Sequence, residues 1–343
     1  MGLFRFVSPD IAVDIGTNNT RVYVKDKGIV VNEPSVVIIR GDNQAKNIIA
    51  VGESAEELIG RSPGNIRVVR PLRDGVIVDY EIAQIMVQYF VNKALGTRRM
   101  VQPRVVVTLP SKVSKVERRA VINAMERISA RRIYPVEQAF AAALGTGLPV
   151  YEPQGSFIVD IGGGTTEIAI ISMGGIVVSH SIRVAGNKID EAIAGYLKKE
   201  HGILVTERVA EQIKLDLVDV RSSEHQEYIA IVRGRDIATG MPMTVEVNMA
   251  KVSEAIHDTL TEILGAIKWV LERIPPEMAV DVLQNGIYLT GGSASLPNLD
   301  LLIASEFGVP VSVARDAGEC TTLGAGYMAD HFDMLSGSLK NET

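Results

Sequence analysis

Residues 11–31 read IAVDIGTNNTRVYVKDKGIVV, and residues 157–178 read FIVDIGGGTTEIAIISMGGIVV. Each copy has an apolar strand closing on Asp-Ile-Gly, a polar Thr-rich turn, a second strand, and a third strand opening Gly-Ile-Val-Val. The spans Asp14–Val31 and Asp160–Val178 differ in length by one residue. Either fragment alone is a common strand or turn sequence; the shared order and spacing mark an internal duplication. A duplicated β-meander restricts the chain to folds with two related halves. Its 343 residues are enough for two domains.

Each first turn is rich in Gly and small hydroxylated residues. Such a turn exposes backbone N–H groups that can surround a phosphate, and Gly permits close approach. The Asp ending the first strand puts a negative charge beside that phosphate, which requires a cation between them. Mg²⁺ suits this arrangement because it retains waters and takes carboxylates through them. Two such hairpins would hold a nucleoside triphosphate and one metal.

Composition narrows the rest. A formal net charge of -6 argues against a nucleic-acid binder that relies on a basic field. Cys320 is the only cysteine, so no internal disulfide forms and a reducing compartment is expected. No apolar run approaches the ~18 residues that span a bilayer. The apolar start at Met1–Val7 is interrupted by Ser8, Pro9 and Asp10, too early for a secretory signal. The expectation is an intracellular protein.

Between the hairpins the pattern alternates helix and strand, as in sheets covered by helices. Residues 81–95 place Ile82, Ile85, Met86, Tyr89 and Phe90 on one helical face. Residues 104–109 form a buried-strand run closed by Pro110. A helix is predicted over 114–129 with Glu117, Arg118 and Arg119 on its outside. The spacing of Ile256, Leu260, Ile263, Leu264, Ile267 and Val270 predicts one long helix from Met249 to Arg273, stopped by Pro275-Pro276. Residues 226–248, with Gly234, Gly240 and Pro242, predict a small β insertion.

Asp14-Ile15-Gly16-Thr17, Asp160-Ile161-Gly162-Gly163-Gly164-Thr165-Thr166 and Thr290-Gly291-Gly292-Ser293 together resemble the two phosphate motifs and the adenosine motif of the actin, Hsp70 and sugar-kinase superfamily. Within it the chain resembles the MreB family of bacterial actins over nearly its whole length. The resemblance rests on GIVVNEPSV (28–36), GRSPG (60–64), RPLRDGVIVDY (70–80), VERRA (116–120), DIGGGTTEIAII (160–171) and RGRD (233–236). It implies an α/β, actin-like (duplicated, ribonuclease H-like) fold with two domains, each of two subdomains, around a nucleotide cleft. Domain I would comprise residues 1–144 and 315–343, with subdomain IB near 32–74. Domain II would comprise 145–314, with IIB near 181–248.

Roles carry over by position. Gly16, Thr17, Asn18 and Asn19 match the first phosphate loop, and Gly162, Gly163, Gly164, Thr165 and Thr166 the second. Asp14 and Asp160 match the acids that hold Mg²⁺ through water. Glu211, Gln212, Ile213 and Lys214 match one flank of the adenosine, and Gly291, Gly292, Ser293 and Ala294 the other. Read without the resemblance, Glu211 and Lys214 would belong to an exposed helical salt-bridge face. Asn18-Asn19, Asn187, Ser293 and Thr321-Thr322-Leu323-Gly324 depart from the usual residues, as in a divergent paralogue.

One departure bears on chemistry. Most of the family carries an acid, then Glu-Pro, before an Ala-rich helix, and that Glu positions the attacking water. Here the stretch is Glu137-Gln138-Ala139-Phe140-Ala141-Ala142-Ala143, so Gln138 stands at the Glu position. An amide orients water but takes no proton. Gln138 is the first candidate and Glu137 the competitor, with Thr166 and Glu167 completing a slow ATPase site.

The resemblance also implies a homopolymer of paired antiparallel protofilaments on the inner membrane face, acting with cell-wall elongation proteins in cell-shape determination. Leu3, Phe4 and Phe6 around Arg5, and Met100 and Val101 after Arg98-Arg99, are the expected contacts with anionic lipid. For Met100 and Val101 the alternative is that they cap the helix at 81–95. The tail Ser336–Thr343 is polar. A small-molecule kinase of the same superfamily is the alternative reading, but no sugar- or acid-binding constellation stands out. A chaperone ATPase would need a C-terminal peptide-binding domain.

Overall fold

A computed structural model describes residues 9–41, 47–61, 65–96, 102–216, 218–220 and 229–332. Leu3, Phe4, Phe6, Met100 and Val101 lie outside the described residues, as do the tail and part of the 60–64 motif. The chain divides into two compact units. The first comprises residues 1–153, 171–176 and 319–343, and the second 154–170 and 177–318.

The first unit is built on a five-stranded sheet in the order Arg132–Glu137, Arg104–Leu109, Ile11–Ile15, Asn19–Val24, Gly28–Pro34. The first three strands run parallel and the last two complete an antiparallel meander. Val105, Val106 and Val107 are fully buried, because a parallel strand covered on both faces reads as an unbroken apolar run. The helix Tyr80–Leu95 begins where Asp79 accepts the Ile82 amide. It buries Ile82, Ala83, Met86, Val87, Phe90 and Val91. Tyr89, expected on that face, is instead 41% exposed; the apolar stripe runs through Ala83 and Val87. The helix Lys115–Arg127 opens on a Ser114–Glu117 capping box. Of the three charges expected outside it, only Arg119 is exposed, since Glu117 is spent on the cap and Arg118 lies half-buried. A satellite sheet of Ile48–Val51, Val37–Arg40 and Ile66–Val69 closes over Val36, Ile38 and Ala55.

The second unit repeats the plan in the order Val311–Val313, Ile287–Thr290, Ser156–Ile161, Thr166–Ser172, Gly175–Ile182. The Ser156–Ile161 strand is parallel to Ile287–Thr290, which is parallel to Val311–Val313. Both copies of the sequence repeat therefore lie at the same place in equivalent sheets. The predicted β insertion is present as Ile229–Asp236 paired antiparallel with Pro242–Asn248, next to Ile203–Leu204. The single helix expected from Met249 to Arg273 is two, Met249–Ala255 and His257–Leu271, with Ile256 as the junction. Burial of Val252 and Ile256 together with Leu260, Ile263 and Ile267 keeps one apolar stripe through the break, which is why periodicity does not reveal it. Pro275 ends that run, and Pro276 then starts the helix Pro276–Asn285 at a position where its missing N–H costs nothing. Among the described residues no helix is long and apolar enough to cross a membrane.

In the first unit the helices Gln138–Gly145 and Cys320–Asp330 cross at Gly145 and Gly324. A Cβ on Gly324 would lie 1.8 Å from the Ala141 carbonyl oxygen, and one on Gly145 1.9 Å from that of Cys320. Only glycine permits this approach of one backbone to the other. Gly324→Ala should therefore destabilise the protein by at least about 3 kcal/mol, visible as a lowered urea midpoint. An unchanged midpoint would contradict a backbone-limited crossing.

Candidate functional site

In the first unit the site grows from the carboxyl ends of parallel strands, where open α/β sheets characteristically bind ligands. Asp14, 5% exposed, accepts hydrogen bonds from Thr108 Oγ1 at 2.6 Å and Thr322 Oγ1 at 3.2 Å. Thr108 comes from the neighbouring parallel strand and Thr322 from the Cys320–Asp330 helix, so the sheet and a covering helix both hold the carboxylate. Arg21 Nη1 stands 3.8 Å from Asp14 Oδ2.

The turn after Asp14 is fixed from outside itself. Gly16 N–H donates to the Asn19 carbonyl at 3.1 Å, and a Cβ on Gly16 would come within 2.5 Å of that oxygen. Ser35 donates through Oγ to the Gly16 carbonyl and through its amide to that of Asn18, each at 2.7 Å. Thr17 Oγ1 accepts the Gly75 amide at 2.9 Å. Asn19 Nδ2 donates to Asn32 Oδ1. The GIVVNEPSV and RDG segments thus hold the turn.

Glu137 is the last residue of its strand, in register with Leu109, whereas Val136 is in register with Thr108. Strand alternation directs Glu137 away from the face that carries Thr108 and Asp14. Its surroundings agree: Arg118 and Ser111 are its electrostatic neighbours. Although Glu137 keeps solvent access, the protein packed around its carboxyl pushes the pKa up, against the lowering effect of Ser111 and Arg118. Gln138, half-buried, is the first residue of the helix that Gly145 ends.

The second unit carries the same device. Asp160 Oδ1 accepts from Thr290 Oγ1 at 3.2 Å across a parallel strand pair. Gly162 N–H donates to the Thr165 carbonyl at 3.0 Å, as Gly16 does to Asn19. The amides of Gly163, Gly164 and Thr165 donate to no described residue, leaving three consecutive N–H groups for an anion. The turn's carbonyls are tied down: Gly162 O accepts from the Gly186 amide at 3.1 Å and Ser293 Oγ at 2.9 Å, and Gly163 O from the Asn187 amide at 2.8 Å. Ser293, one of the departures noted in the sequence, therefore braces this turn through its side chain, and Asn187 does so through its main-chain N–H. Gly291, at φ +86°, lets the 290–294 segment pass the strand; a Cβ there would lie 2.2 Å from the Ile161 carbonyl oxygen. Gly292 starts the single helical turn Gly292–Ser295, in which Ala294 is buried.

Thr166 and Glu167 are fully buried and internally engaged, Thr166 Oγ1 donating to Val184 O at 2.7 Å and Glu167 Oε1 accepting from Ser181 Oγ at 2.6 Å. On the helix Glu207–Asp216, Glu211 and Gln212 are exposed, Ile213 belongs to the hydrophobic core, and Lys214 is 3% exposed. Lys214 does not sit on an exposed ion-pair face: Nζ donates to Asp190 Oδ2 at 3.0 Å and lies 3.4 Å from the Gly186 carbonyl. Burial pushes the Asp190 carboxyl up to about 6, despite the Lys214 charge and hydrogen bond acting to lower it.

Arg21, Thr108 and Asp190 do not stand out in the sequence; Thr290 enters there only as the first residue of the adenosine motif and Thr322 only as one of the departures, neither as an aspartate's donor. The Arg21 signal was present in the meander, because a short turn after Asp14 sets the two residues opposite each other. The threonine donors and Asp190 depend on pairings that local pattern does not carry.

Duplicated sheets, each with a glycine-led turn behind a threonine-held aspartate, define the actin-like class. A sequence model of the MreB/Mbl protein family matches residues 8–337. The chain is 44% identical over 326 residues to the cell shape-determining protein Mbl of Bacillus subtilis (strain 168), covering 95% of this chain and 97% of that protein. It is 43% identical over 338 residues to the cell shape-determining protein MreB of Escherichia coli (strain K12), covering 98% and 97%. A crystal structure of MreB5 of Spiroplasma citri bound to AMPPNP superposes with a TM-score of 0.87 at 35% identity, covering 96% of this chain and 98% of that one. The chain belongs to the MreB/Mbl family of bacterial actins, whose curated relatives are cell shape-determining proteins. These matches do not favour the small-molecule kinase alternative.

The shifted carboxyl has a consequence for stability. The Asp190 pKa is about 6 in the folded protein against an ordinary 3.8, so between those values the folded state binds the extra proton. Stability attributable to Asp190 is then present at low pH and lost as pH rises through about 6. Relative to Asp190→Asn, the wild type should lose about 2 kcal/mol between pH 4 and 6.5 in urea denaturation. A pH-independent difference would contradict the shift.

Proposed function

We propose that the chain is a cytoskeletal nucleotide switch that binds ATP with Mg²⁺, polymerises, and hydrolyses the nucleotide slowly. The observation that carries this is the repeated device, a glycine-led turn behind a buried aspartate, whose second copy presents three uncommitted amides. The AMPPNP-bound MreB5 structure supports a nucleotide as the ligand. Phosphate contacts would come from Gly16–Asn19 and Gly162–Thr165, and base or ribose contacts from Glu211–Lys214 and Gly291–Ala294.

The donor set suits Mg²⁺. Asp14 and Asp160 are hard oxygen donors, each already ordered by threonine hydroxyls. Among the described residues no group of three or more His, Cys, Asp or Glu is arranged to hold a metal. A cation here would therefore complete its shell with phosphate and water, as Mg²⁺ does readily. When bound, it would neutralise phosphate charge.

Gln138 is the residue we assign to orienting the attacking water. Glu137 points to the opposite sheet face from Asp14, beside Arg118, which supports Gln138 over its neighbour. An amide cannot accept the proton, so turnover should lack the 10²–10⁴-fold that general-base assistance typically contributes. Gln138→Ala should lower phosphate release at least about tenfold while leaving nucleotide binding in place, and Glu137→Ala should change release by less than about twofold. The reverse pattern would reassign the role to Glu137.

Self-assembly and attachment to an anionic membrane complete the proposal, with cell-wall elongation proteins as partners and the cytoplasmic face of the cell membrane as the location. High-speed pelleting with ATP, ADP or no nucleotide, with and without anionic liposomes, tests it. Nucleotide- or lipid-dependent pelleting is expected; a protein that stays in the supernatant throughout would contradict it. Serine at Met100 and Val101, combined with removal of residues 2–7, should abolish liposome co-sedimentation. Retained co-sedimentation would exclude these residues as the lipid contact.

A further inference from the structure

The strand row that carries Asp14 also carries a cation, Arg21, one of whose buried donors has no hydrogen-bond partner. Arg21 is the direct cross-strand partner of Asp14, and Asn32 is the partner of Arg21 on the next strand. Alternation therefore sets Asp14, Arg21 and Asn32 side by side on one face of the sheet. The Arg21 side chain is only 18% exposed. Its Nε is buried with no hydrogen-bond partner, and its closest acidic oxygen, 3.8 Å away on Asp14, is beyond hydrogen-bond length. Neither neighbour hydrogen-bonds the guanidinium, and Asp14 meets it only as an ion pair at 3.8 Å. Asp14 is engaged by two threonine hydroxyls, and the Asn32 amide exchanges its contacts with Asn19 and Glu319. Leaving a buried donor such as Nε unmatched is costly, and a guanidinium is shaped to meet two oxygens of one oxyanion at once.

The turn Gly16–Asn19 ends two residues before Arg21 on the same hairpin, so the unmatched donor lies near the first candidate phosphate loop. A polyphosphate brought to that loop would stand beside the Asp14 carboxylate, and two anions need a cation between them. We propose that Arg21 is a phosphate ligand and resident counter-cation of the nucleotide site. It donates to a polyphosphate oxygen and offsets the Asp14 charge, a task otherwise left to the divalent metal. The proposal rests on the nucleotide reading above and adds to it: affinity for nucleotide should survive removal of the metal to an unusual degree.

The test is the affinity of the full chain for a fluorescent N-methylanthraniloyl ATP, measured with Mg²⁺ and with excess chelator. For the wild type, chelation is expected to weaken binding about tenfold or less. For Arg21→Gln the same step should weaken it at least about a hundredfold, the difference being one charge-assisted hydrogen bond. Arg21→Lys, which keeps the charge but not the fork, should fall between them. Equal chelation penalties in wild type and Arg21→Gln would overturn the proposal while leaving the nucleotide reading intact. Absence of wild-type binding even with Mg²⁺ would overturn the nucleotide reading itself, and this proposal with it. Should Arg21→Gln fail to fold, the wild type alone decides: loss of more than about a thousandfold on chelation would contradict a resident counter-cation.

Discussion

A carboxylate buried at the end of a central strand is unstable unless something fixes and compensates it, and this chain solves that problem twice with one device. In each sheet the aspartate one residue before the end of the inner strand is held by a threonine hydroxyl from the adjacent parallel strand, Thr108 for Asp14 and Thr290 for Asp160. Parallel pairing is what makes the contact possible, because it brings two carboxyl ends together at the same edge. The glycine-led turn follows directly from the same strand end. Its geometry is then fixed by groups far along the chain, Ser35 and Gly75 in one unit, Gly186, Asn187 and Ser293 in the other. Disturbing either aspartate would disturb the turn behind it.

The first unit shows how packing reaches this edge. Helices Gln138–Gly145 and Cys320–Asp330 cross with only glycine between their backbones. One of them begins with Gln138, and the other delivers Thr322 to Asp14. The same crossing that buries the Ala-rich helix therefore sets the positions of the candidate catalytic amide and of Asp14. In the second unit the corresponding burden falls on Gly186, where a Cβ would lie 2.3 Å from Ser293 Oγ and 3.2 Å from Lys214 Nζ. Here a buried ion pair, Lys214 with Asp190, lies against the turn's support.

Much of this was legible in the amino-acid sequence. The duplication could be read because both copies lie in consecutive, locally paired strands, and their turns repeat the same residue types. The run at 104–109 and the insertion read at 226–248, described from residue 229, are legible for similar local reasons. What escaped depends on non-local pairing. Nothing near Thr108 or Thr290 announces that each will face an aspartate, since that follows from strand order. The break at Ile256 is hidden because the buried stripe continues through it, and the exposure of Tyr89 reflects competition from Ala83 and Val87 for the packed face. Lys214 looked like part of a solvated charge pattern, yet its partner lies 24 residues earlier on another helix.

Both copies of the device are proposed to serve nucleotide binding in one protein. Calorimetric titration of AMPPNP into the wild type, Gly16→Val and Gly162→Val measures this directly, with folding of each variant verified by circular dichroism. One nucleotide per wild-type chain and loss of binding in both variants are expected, because a Cβ on Gly16 would lie 2.5 Å from the Asn19 carbonyl oxygen and one on Gly162 already sits a tight 3.3 Å from that of Thr165, so the branched valine crowds both turns. Undiminished binding in either folded variant, or two nucleotides per chain, would contradict it.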